Sequence, residues 1–185
     1  DPYVSDNFTI RDLLSHRSGL ATFSGDLVWY GSRYSREEVV RRAKFLEPVY
    51  GFRERFGYNN IMYIAAGLVV EEISGMSWDD FIKEHILDPL KMERTLTSTN
   101  ELGGMDNVSM PHNDHDEDVI AIEWLNWDNM APAGSLISSV NDVSKWLIFQ
   151  LNRGILESGD TLINPQRFRE MWAPVTLRSI SARAE

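Results

Sequence analysis

The chain has 185 residues, of which 43% are hydrophobic and 25% are charged, a composition typical of one soluble globular domain. Its formal net charge of -10 at pH 7 opposes binding to nucleic-acid phosphates and to anionic lipid surfaces. It contains no cysteine, which excludes disulfides and zinc–thiolate sites, and no apolar run approaches the roughly 20 residues of a membrane span. We therefore expect no nucleic-acid partner and no membrane span.

Two helices are predicted before Pro48, and each opens with a capping pair. Thr9 and Asp12 have the spacing of a capping box, with Asp in place of the usual Glu, and Ser35 and Glu38 form a complete one. The apolar positions that follow at helical spacing are Leu13 and Leu14 in the first segment and Val39, Val40, Ala43 and Leu46 in the second. We expect a short first helix that runs into a loop and a second helix that packs on the core.

The clearest helical period in the chain follows the sequence "FGYNN". Its apolar face is predicted to consist of Ile61, Ile64, Ala65, Leu68, Val69 and Ile73. Gly75 ends this helix, and Ser77 with Asp80 starts the next one, which Pro89 stops. The inward positions of that second helix are Phe81, Ile82 and Ile86. Two helices therefore meet through a tight turn.

The pattern weakens over residues 95–129, where "DVIAIEW" suggests a hairpin within a long irregular excursion. A last clear helix is predicted from Ser139 or Asn141 to Gly154, and Asn164 opens a short one. The tail "LRSISARAE" carries no helix stop and no closing element. The sequence thus predicts a mainly α fold with a minor irregular or β excursion.

Tyr58, Asn59 and Asn60 stand at the start of the long helix, and they allow two interpretations. In the first, they form an ordinary turn followed by a helix N-cap. In the second, they line a binding site, because Asn60 offers both a carbonyl acceptor and an NH₂ donor to a bound amide. A phenol has an ordinary pKa of about 10 and acts as a base near neutral pH only with positive charge close by, typically a lysine.

Four stretches favour the second interpretation because they occur together and in order: "LLSHRSGL", "FRERFGYNN", "ISGMSWDDFIKEHILDPLKMERT" and "APAGSLISSVNDVSKWL". This set resembles the serine β-lactamase-like hydrolases, which include class C β-lactamases, DD-peptidases, esterases and D-aminopeptidases. The resemblance extends from about Phe8 to about Met171. In that family, Ser-x-x-Lys supplies the nucleophile, Tyr-x-Asn the second catalytic element, and Lys/His-Thr-Gly closes the site.

The resemblance implies a catalytic role for Tyr58 and a substrate-binding role for Asn60. Tyr58 would relay the proton of the attacking serine during acylation, and Asn60 would hold the amide of the substrate and help to fix the lysine. The substrate would be a small molecule or peptide, namely a β-lactam, a D-peptide or an ester, and no cofactor is implied. The family further implies a bacterial periplasmic or cell-envelope location.

This sequence departs from the family pattern because it contains neither Ser-x-x-Lys nor Lys/His-Thr-Gly. We therefore expect residues 1–185 to be the single helical (lid) subdomain of an α/β serine hydrolase, without most of its sheet and with both sheet-forming ends missing. Such a chain would be inactive alone, and it could self-associate through exposed apolar surface. The alternative is a non-catalytic helical binding module or pseudoenzyme on the same scaffold.

Three other groups of polar residues have competing interpretations. His112 and His115, in "PHNDHDED", could hold a divalent metal, but a loop lacks fixed geometry, and we expect a solvated surface and no metal. His16 could act as a general base, yet the family match favours a structural histidine that hydrogen-bonds the loop after it. Ser18 and Ser135 have no nucleophile motif around them and are expected to be turn or cap residues.

The aromatic residues of the loops leave two interpretations open. Trp29, Tyr30, Trp124 and Trp127 could form a wall that faces the substrate, or they could pack the helical subdomain itself.

Overall fold

The computed structural model describes residues 1–115 and 118–177 of the chain. Its α-helices, in chain order, are α1 (Pro2–Asn7), α2 (Ile10–Leu14), α3 (Asp26–Trp29), α4 (Arg36–Arg42), α5 (Asn60–Ser74), α6 (Trp78–Ile82), α7 (Ala131–Gly134), α8 (Val140–Leu151) and α9 (Pro165–Met171). The strands β1 (His112–His115) and β2 (Asp118–Ala121) pair antiparallel, with His112 opposite Ala121. The predicted class, mainly helical with a small β excursion, is confirmed.

Helix α5 is the centre of the fold, and it packs against α2, α4, α6 and α7. The main hydrophobic cluster gathers around it and consists of Leu20, Trp29, Val39, Ile61, Met62, Ile64 and Met130. The approach of α7 depends on Gly67, because a Cβ atom there would lie 2.3 Å from Cγ of Pro132. The glycine therefore lets the Pro132 ring of α7 lie directly on α5.

A second hydrophobic cluster joins the end of the α6 region to α8. Its buried members are Leu87, Leu90, Met92 and Phe149. A π-helical turn, Lys83–Leu87, continues α6 and brings Leu87 into this cluster. Arg36 joins α4 to α5 and α6, because its guanidinium bonds to Glu71 of α5 at 2.9 Å and to Asp79 of α6 at 2.7 Å.

The predicted helix starts agree with the structure because the capping side chains form the expected bonds. Ser35 accepts a hydrogen bond from the Glu38 N–H, Ser77 from the Asp80 N–H, and Ser139 from the Asp142 N–H. Asn164 caps α9 in the same way. Gly75 ends α5 with a left-handed conformation (φ 71°), which a residue without Cβ adopts without strain.

The predicted apolar face of α5 is wrong at its C-terminal end. Ile73 is 78% exposed, whereas Asn60, Met62 and Gly67 are buried together with Ile61 and Ile64. In the last turn of α5, Glu71 still bonds to Arg36 of α4 and to the Trp78 N–H of α6, but the side chain of Ile73 is left largely uncovered by the described residues. The hairpin expected from "DVIAIEW" is present as β1–β2. Residues 178–185 of the tail lie outside the described residues.

No helix among the described residues is long and apolar enough to span a membrane.

Candidate active site

The segment that carries Tyr58 is hydrogen-bonded to the loop that follows α2. The N–H of Gly57 donates to the carbonyl of His16 at 2.9 Å, and the N–H of Phe23 donates to the carbonyl of Tyr58 at 2.8 Å. Gly57 is required here, because a Cβ atom would lie 2.0 Å from the Leu20 carbonyl oxygen. These contacts fix the backbone of Tyr58 immediately before α5.

The ring of Tyr58 stands at the surface between two other rings. Its centroid lies 4.5 Å from that of the tilted His16 imidazole and 5.5 Å from that of the Phe23 ring, which meets it edge-on. Tyr58 is 38% exposed. Within residues 1–115 and 118–177 its hydroxyl has no hydrogen-bond partner. The phenol oxygen is thus available to a bound molecule, while the ring is held.

Tyr63, one turn into α5, differs from Tyr58 although both rings contact His16. The hydroxyl of Tyr63 donates to the Leu14 carbonyl at 2.9 Å. Burial raises the pKa of Tyr63, and the neighbouring Tyr58 raises it further, because both disfavour the phenolate. Tyr63 therefore joins α5 to α2, and of these two tyrosines only Tyr58 has a free hydroxyl.

His16 has a structural role, and its partner is the segment before α5 rather than the loop after it. Its Nδ1 accepts a hydrogen bond from the Asn59 backbone N–H at 3.1 Å, which assigns the ring proton to Nε2. Burial lowers the pKa of His16 from its ordinary value of 6.5, since the imidazolium loses hydration. A neutral imidazole therefore supports the ring of Tyr58. In the sequence, the only indication of this structural role is that His16 lies within the family-like stretch "LLSHRSGL".

Asn59 and Asn60 are both buried, and each is held by a different partner. Nδ2 of Asn59 donates to the Ser24 carbonyl at 2.8 Å, and its buried Oδ1 has no partner among the described residues. Nδ2 of Asn60 donates to both carboxylate oxygens of Asp26, at 3.2 and 3.0 Å. Asp26, the first residue of α3, therefore determines how the Asn60 amide is oriented. Sequence reasoning did not identify this residue.

A buried carboxylate anchors the two loops on which the site is built. Asp12 is 0% exposed and accepts hydrogen bonds from Arg17 at 2.6 Å and from two nitrogens of Arg53 at 2.9 and 2.8 Å. The N–H and hydroxyl of Thr9 add two more, at 2.9 and 2.6 Å. Burial alone would raise the pKa of Asp12, but these donors together outweigh it and hold the pKa well below its ordinary value.

A family model described as Beta-lactamase matches residues 2–178. The chain belongs to the beta-lactamase family. Unguisins hydrolase ungD of Aspergillus violaceofuscus is 31% identical to it over 152 residues, which cover 78% of this chain and 27% of that protein. The likeness to the serine β-lactamase-like hydrolases read from the four sequence stretches is thereby confirmed.

Two solved structures share the fold of this chain. The octameric penicillin-binding protein homologue from Pyrococcus abyssi has a TM-score of 0.76 at 25% identity, over 96% of this chain and 40% of that one. The D-amino acid amidase from Ochrobactrum anthropi SV3 has a TM-score of 0.70 at 21% identity, over 88% of this chain and 48% of that one. The chain spans less than half the length of each of these proteins, and less than a third of the fungal hydrolase.

The other candidate residues of this beta-lactamase family member form local contacts. Ser135 is buried and donates to the Ala131 carbonyl at 3.3 Å, and Ser18 accepts from the Leu20 N–H at 3.3 Å. His112 lies exposed on β1. The described residues contain no group of three His, Cys, Asp or Glu side chains that could hold a metal ion.

The four aromatic residues Trp29, Tyr30, Trp124 and Trp127 differ in how they pack, and a wall that faces the substrate stays a prediction. Trp29 is buried in the core and meets Tyr30 and Trp127 edge-on, with centroid distances of 5.8 and 5.9 Å. Trp124 and Trp127 line an open, mainly apolar cavity of about 310 Å³, together with Leu125. Trp29 therefore packs the core of this chain, whereas Trp127 links that packing to a concave surface.

Proposed function

We propose that residues 1–185 form the helical lid subdomain of a serine hydrolase that acts by acyl-enzyme chemistry on an amide or ester. Family membership supports this, and so do the relatives, since one is named a hydrolase and another an amidase. The observation that carries the proposal is the surface phenol of Tyr58, free at its hydroxyl and held on both sides at the start of a long buried helix.

Tyr58 is assigned the proton-transfer role in this reaction. An exposed hydroxyl on a fixed ring can approach the oxygen of an attacking serine. Once it has passed its own proton to a neighbouring base, such as the lysine of Ser-x-x-Lys, it can take up the proton of the serine and later pass a proton to the leaving group. The N-terminus of α5 adds partial positive charge near the phenol, because its first N–H groups lack helical partners. The rigid backbone before α5 keeps the hydroxyl in position, which is what a proton-transfer group requires.

Asn60 is assigned to substrate binding. It follows Tyr58 by two residues and is 8% exposed, so most of its side chain is held in place while a small part of it is accessible to a bound molecule. Residues 1–185 contain neither Ser-x-x-Lys nor Lys/His-Thr-Gly. We therefore propose that the nucleophile, its lysine and the closing strand belong to other parts of a longer protein, and that residues 1–185 alone are inactive.

Covalent labelling of the full-length protein tests this proposal. The protein is incubated with a fluorophosphonate or a penicillin, and intact-mass spectrometry follows the adduct in wild type, Tyr58→Phe and the control Tyr3→Phe. Tyr3 is an exposed residue of α1. We expect stoichiometric labelling of wild type and control, and a rate lowered by about 10²- to 10⁴-fold in Tyr58→Phe, the usual contribution of general acid–base catalysis.

Two results would contradict the proposal. Equal labelling rates for wild type and Tyr58→Phe would remove Tyr58 from the acylation machinery. No labelling of the wild type by either probe would favour the non-catalytic binding module.

Self-association of residues 1–185 stays a prediction. Val140, Leu147 and Leu151 lie on one face of α8 and are exposed, as a surface that packs against another part of a protein would be. Light scattering coupled to size-exclusion chromatography checks it, and a monomer at all concentrations would contradict it.

A further inference from the structure

Asp26 is a partly buried carboxylate whose described partners are all neutral. Besides the two contacts from Nδ2 of Asn60, it accepts a hydrogen bond from the indole Nε1 of Trp29 at 3.1 Å. None of the ion pairs formed by residues 1–115 and 118–177 includes Asp26, although Asp12 and Asp142 are each paired with cations. A carboxylate in this setting favours a cation from outside these residues.

The same carboxylate determines which atom Asn60 presents. An ionised carboxylate only accepts hydrogen bonds, so Asn60 must turn its NH₂ group toward Asp26. Its carbonyl oxygen Oδ1 then points away from Asp26 and accepts no hydrogen bond from a described residue. The side chain therefore offers Oδ1 as an acceptor, and one N–H of its amide is already engaged by Asp26.

Asp26 and Oδ1 of Asn60 thus present a negative charge and an acceptor at the two ends of one amide group. A neutral carbonyl group of a substrate would find only the remaining N–H of Asn60 as a donor, and it would face the charge of Asp26 and the acceptor Oδ1. An ammonium group would satisfy both, because it has three donors and a positive charge. The net charge of -10 adds a general attraction for cations.

We propose that Asp26 and Asn60 form an amine-recognising subsite that makes the hydrolase prefer substrates with a free, protonated amine next to the scissile bond. Asn60 contacts the amine, and Asp26 both orients Asn60 and compensates the positive charge. This inference rests on the proposed function for catalysis, but its binding step does not require turnover.

The steady-state test uses the full-length protein and two substrates that share a leaving group. Alanine p-nitroanilide carries a free α-amine, and N-acetylalanine p-nitroanilide does not; both enantiomers of each are assayed at pH 7. Asp26→Asn removes the charge but keeps an acceptor for Asn60 and Trp29, and Asp26→Glu restores the charge. The control, Glu72→Gln, removes one exposed charge from the same helix, about 18 Å from Asn60 at 1.5 Å per residue.

We expect Asp26→Asn to lower kcat/KM for the free amine about tenfold, which corresponds to about 1.4 kcal/mol, mainly through KM. The same variant should lower kcat/KM for the N-acetyl substrate by a clearly smaller factor, because Asp26 also orients Asn60. Asp26→Glu should keep part of the preference for the free amine, and Glu72→Gln should match wild type. If Asp26→Asn lowers kcat/KM equally for both substrates, Asp26 and Asn60 bind a cation of the protein itself, such as a lysine. That result would overturn the proposal. An unchanged preference would overturn it as well.

A binding measurement separates this inference from the proposed function. Calorimetric titration of the same variants with alanine amide and with N-acetylalanine amide needs no nucleophile and no turnover. Tighter binding of the free amine by wild type, lost about tenfold in Asp26→Asn, supports the subsite even when no probe labels the protein. Equal affinity for the two amides overturns the subsite even when labelling succeeds.

Discussion

Asp12 is the residue whose replacement should reveal most about how the site is held. Its carboxylate joins α2 to Arg17, which precedes the loop bonded to Tyr58, and to Arg53, which precedes Gly57. In Asp12→Asn the side chain keeps its shape, but its NH₂ group faces donors instead of accepting from them. We therefore expect a large loss of stability from a change of almost no volume.

The magnitude follows from the burial of the carboxylate. Removing one partner of a buried ion pair costs about 3–5 kcal/mol, and Asp12 is 0% exposed. Both arginines retain contact with water, so their charges remain partly hydrated after the substitution. We therefore expect the free energy of unfolding to fall by about 3 kcal/mol, the lower end of that range.

Equilibrium urea unfolding, followed by tryptophan fluorescence, measures this difference, with Asp6→Asn as the control at an exposed carboxylate of α1. The pH adds a second check. Because the folded-state pKa of Asp12 lies below its ordinary 3.8, the extra stability is present above pH 3.8 and disappears as the pH falls through the folded-state pKa. The gap between wild type and Asp12→Asn should narrow over that range. A gap within about 0.5 kcal/mol at pH 7, as for ordinary surface substitutions, would refute this reasoning.

Three further substitutions probe the packing and capping of α5, α8 and the site. Gly67→Ala should destabilise the protein by about 1–3 kcal/mol, because the new Cβ would overlap Pro132; an unchanged melting temperature would show that α7 shifts freely. Ser139→Ala removes the hydroxyl that accepts from the Asp142 N–H and should cost about 1 kcal/mol in urea unfolding, a loss that Ser139→Thr should largely avoid. His16, with its pKa lowered by burial, should make stability fall as the pH drops below 6.5 toward the folded-state pKa, since the unfolded chain binds the proton first; a wild-type pH profile parallel to that of His16→Phe would contradict this.

The elements most accurately predicted from the sequence are those with local causes. The caps at Ser35, Ser77 and Ser139 bond to backbone groups three residues away, so a short sequence pattern contains both partners. The end of α5 at Gly75 has the same local origin. The prediction for Ile73 was wrong, because its burial depends on whether a distant element covers its side of α5, and the described elements leave its side chain 78% exposed.

The candidate site divides in the same way. Tyr58 and Asn60 were identified because they form one contiguous motif within an ordered set of family-like stretches. Asp26 was missed, since no short pattern indicates that a carboxylate 34 residues away will meet Asn60. His16 was placed outside the catalytic set, and only the fold shows that its ring lies against Tyr58.

The sequence by itself determined the helical class, the main helix starts, the family and the Tyr-x-Asn motif at the N-terminus of α5. Each of these depends on residues that are neighbours in the chain, where capping bonds and helical periodicity act. Three contacts were decided by the tertiary structure alone. Gly57 packs against the Leu20 carbonyl, Asp12 bonds to both Arg17 and Arg53, and Asp26 orients the amide of Asn60. These contacts join residues far apart in the chain, and their energies arise from burial and charge pairing that exist only once the helices have packed.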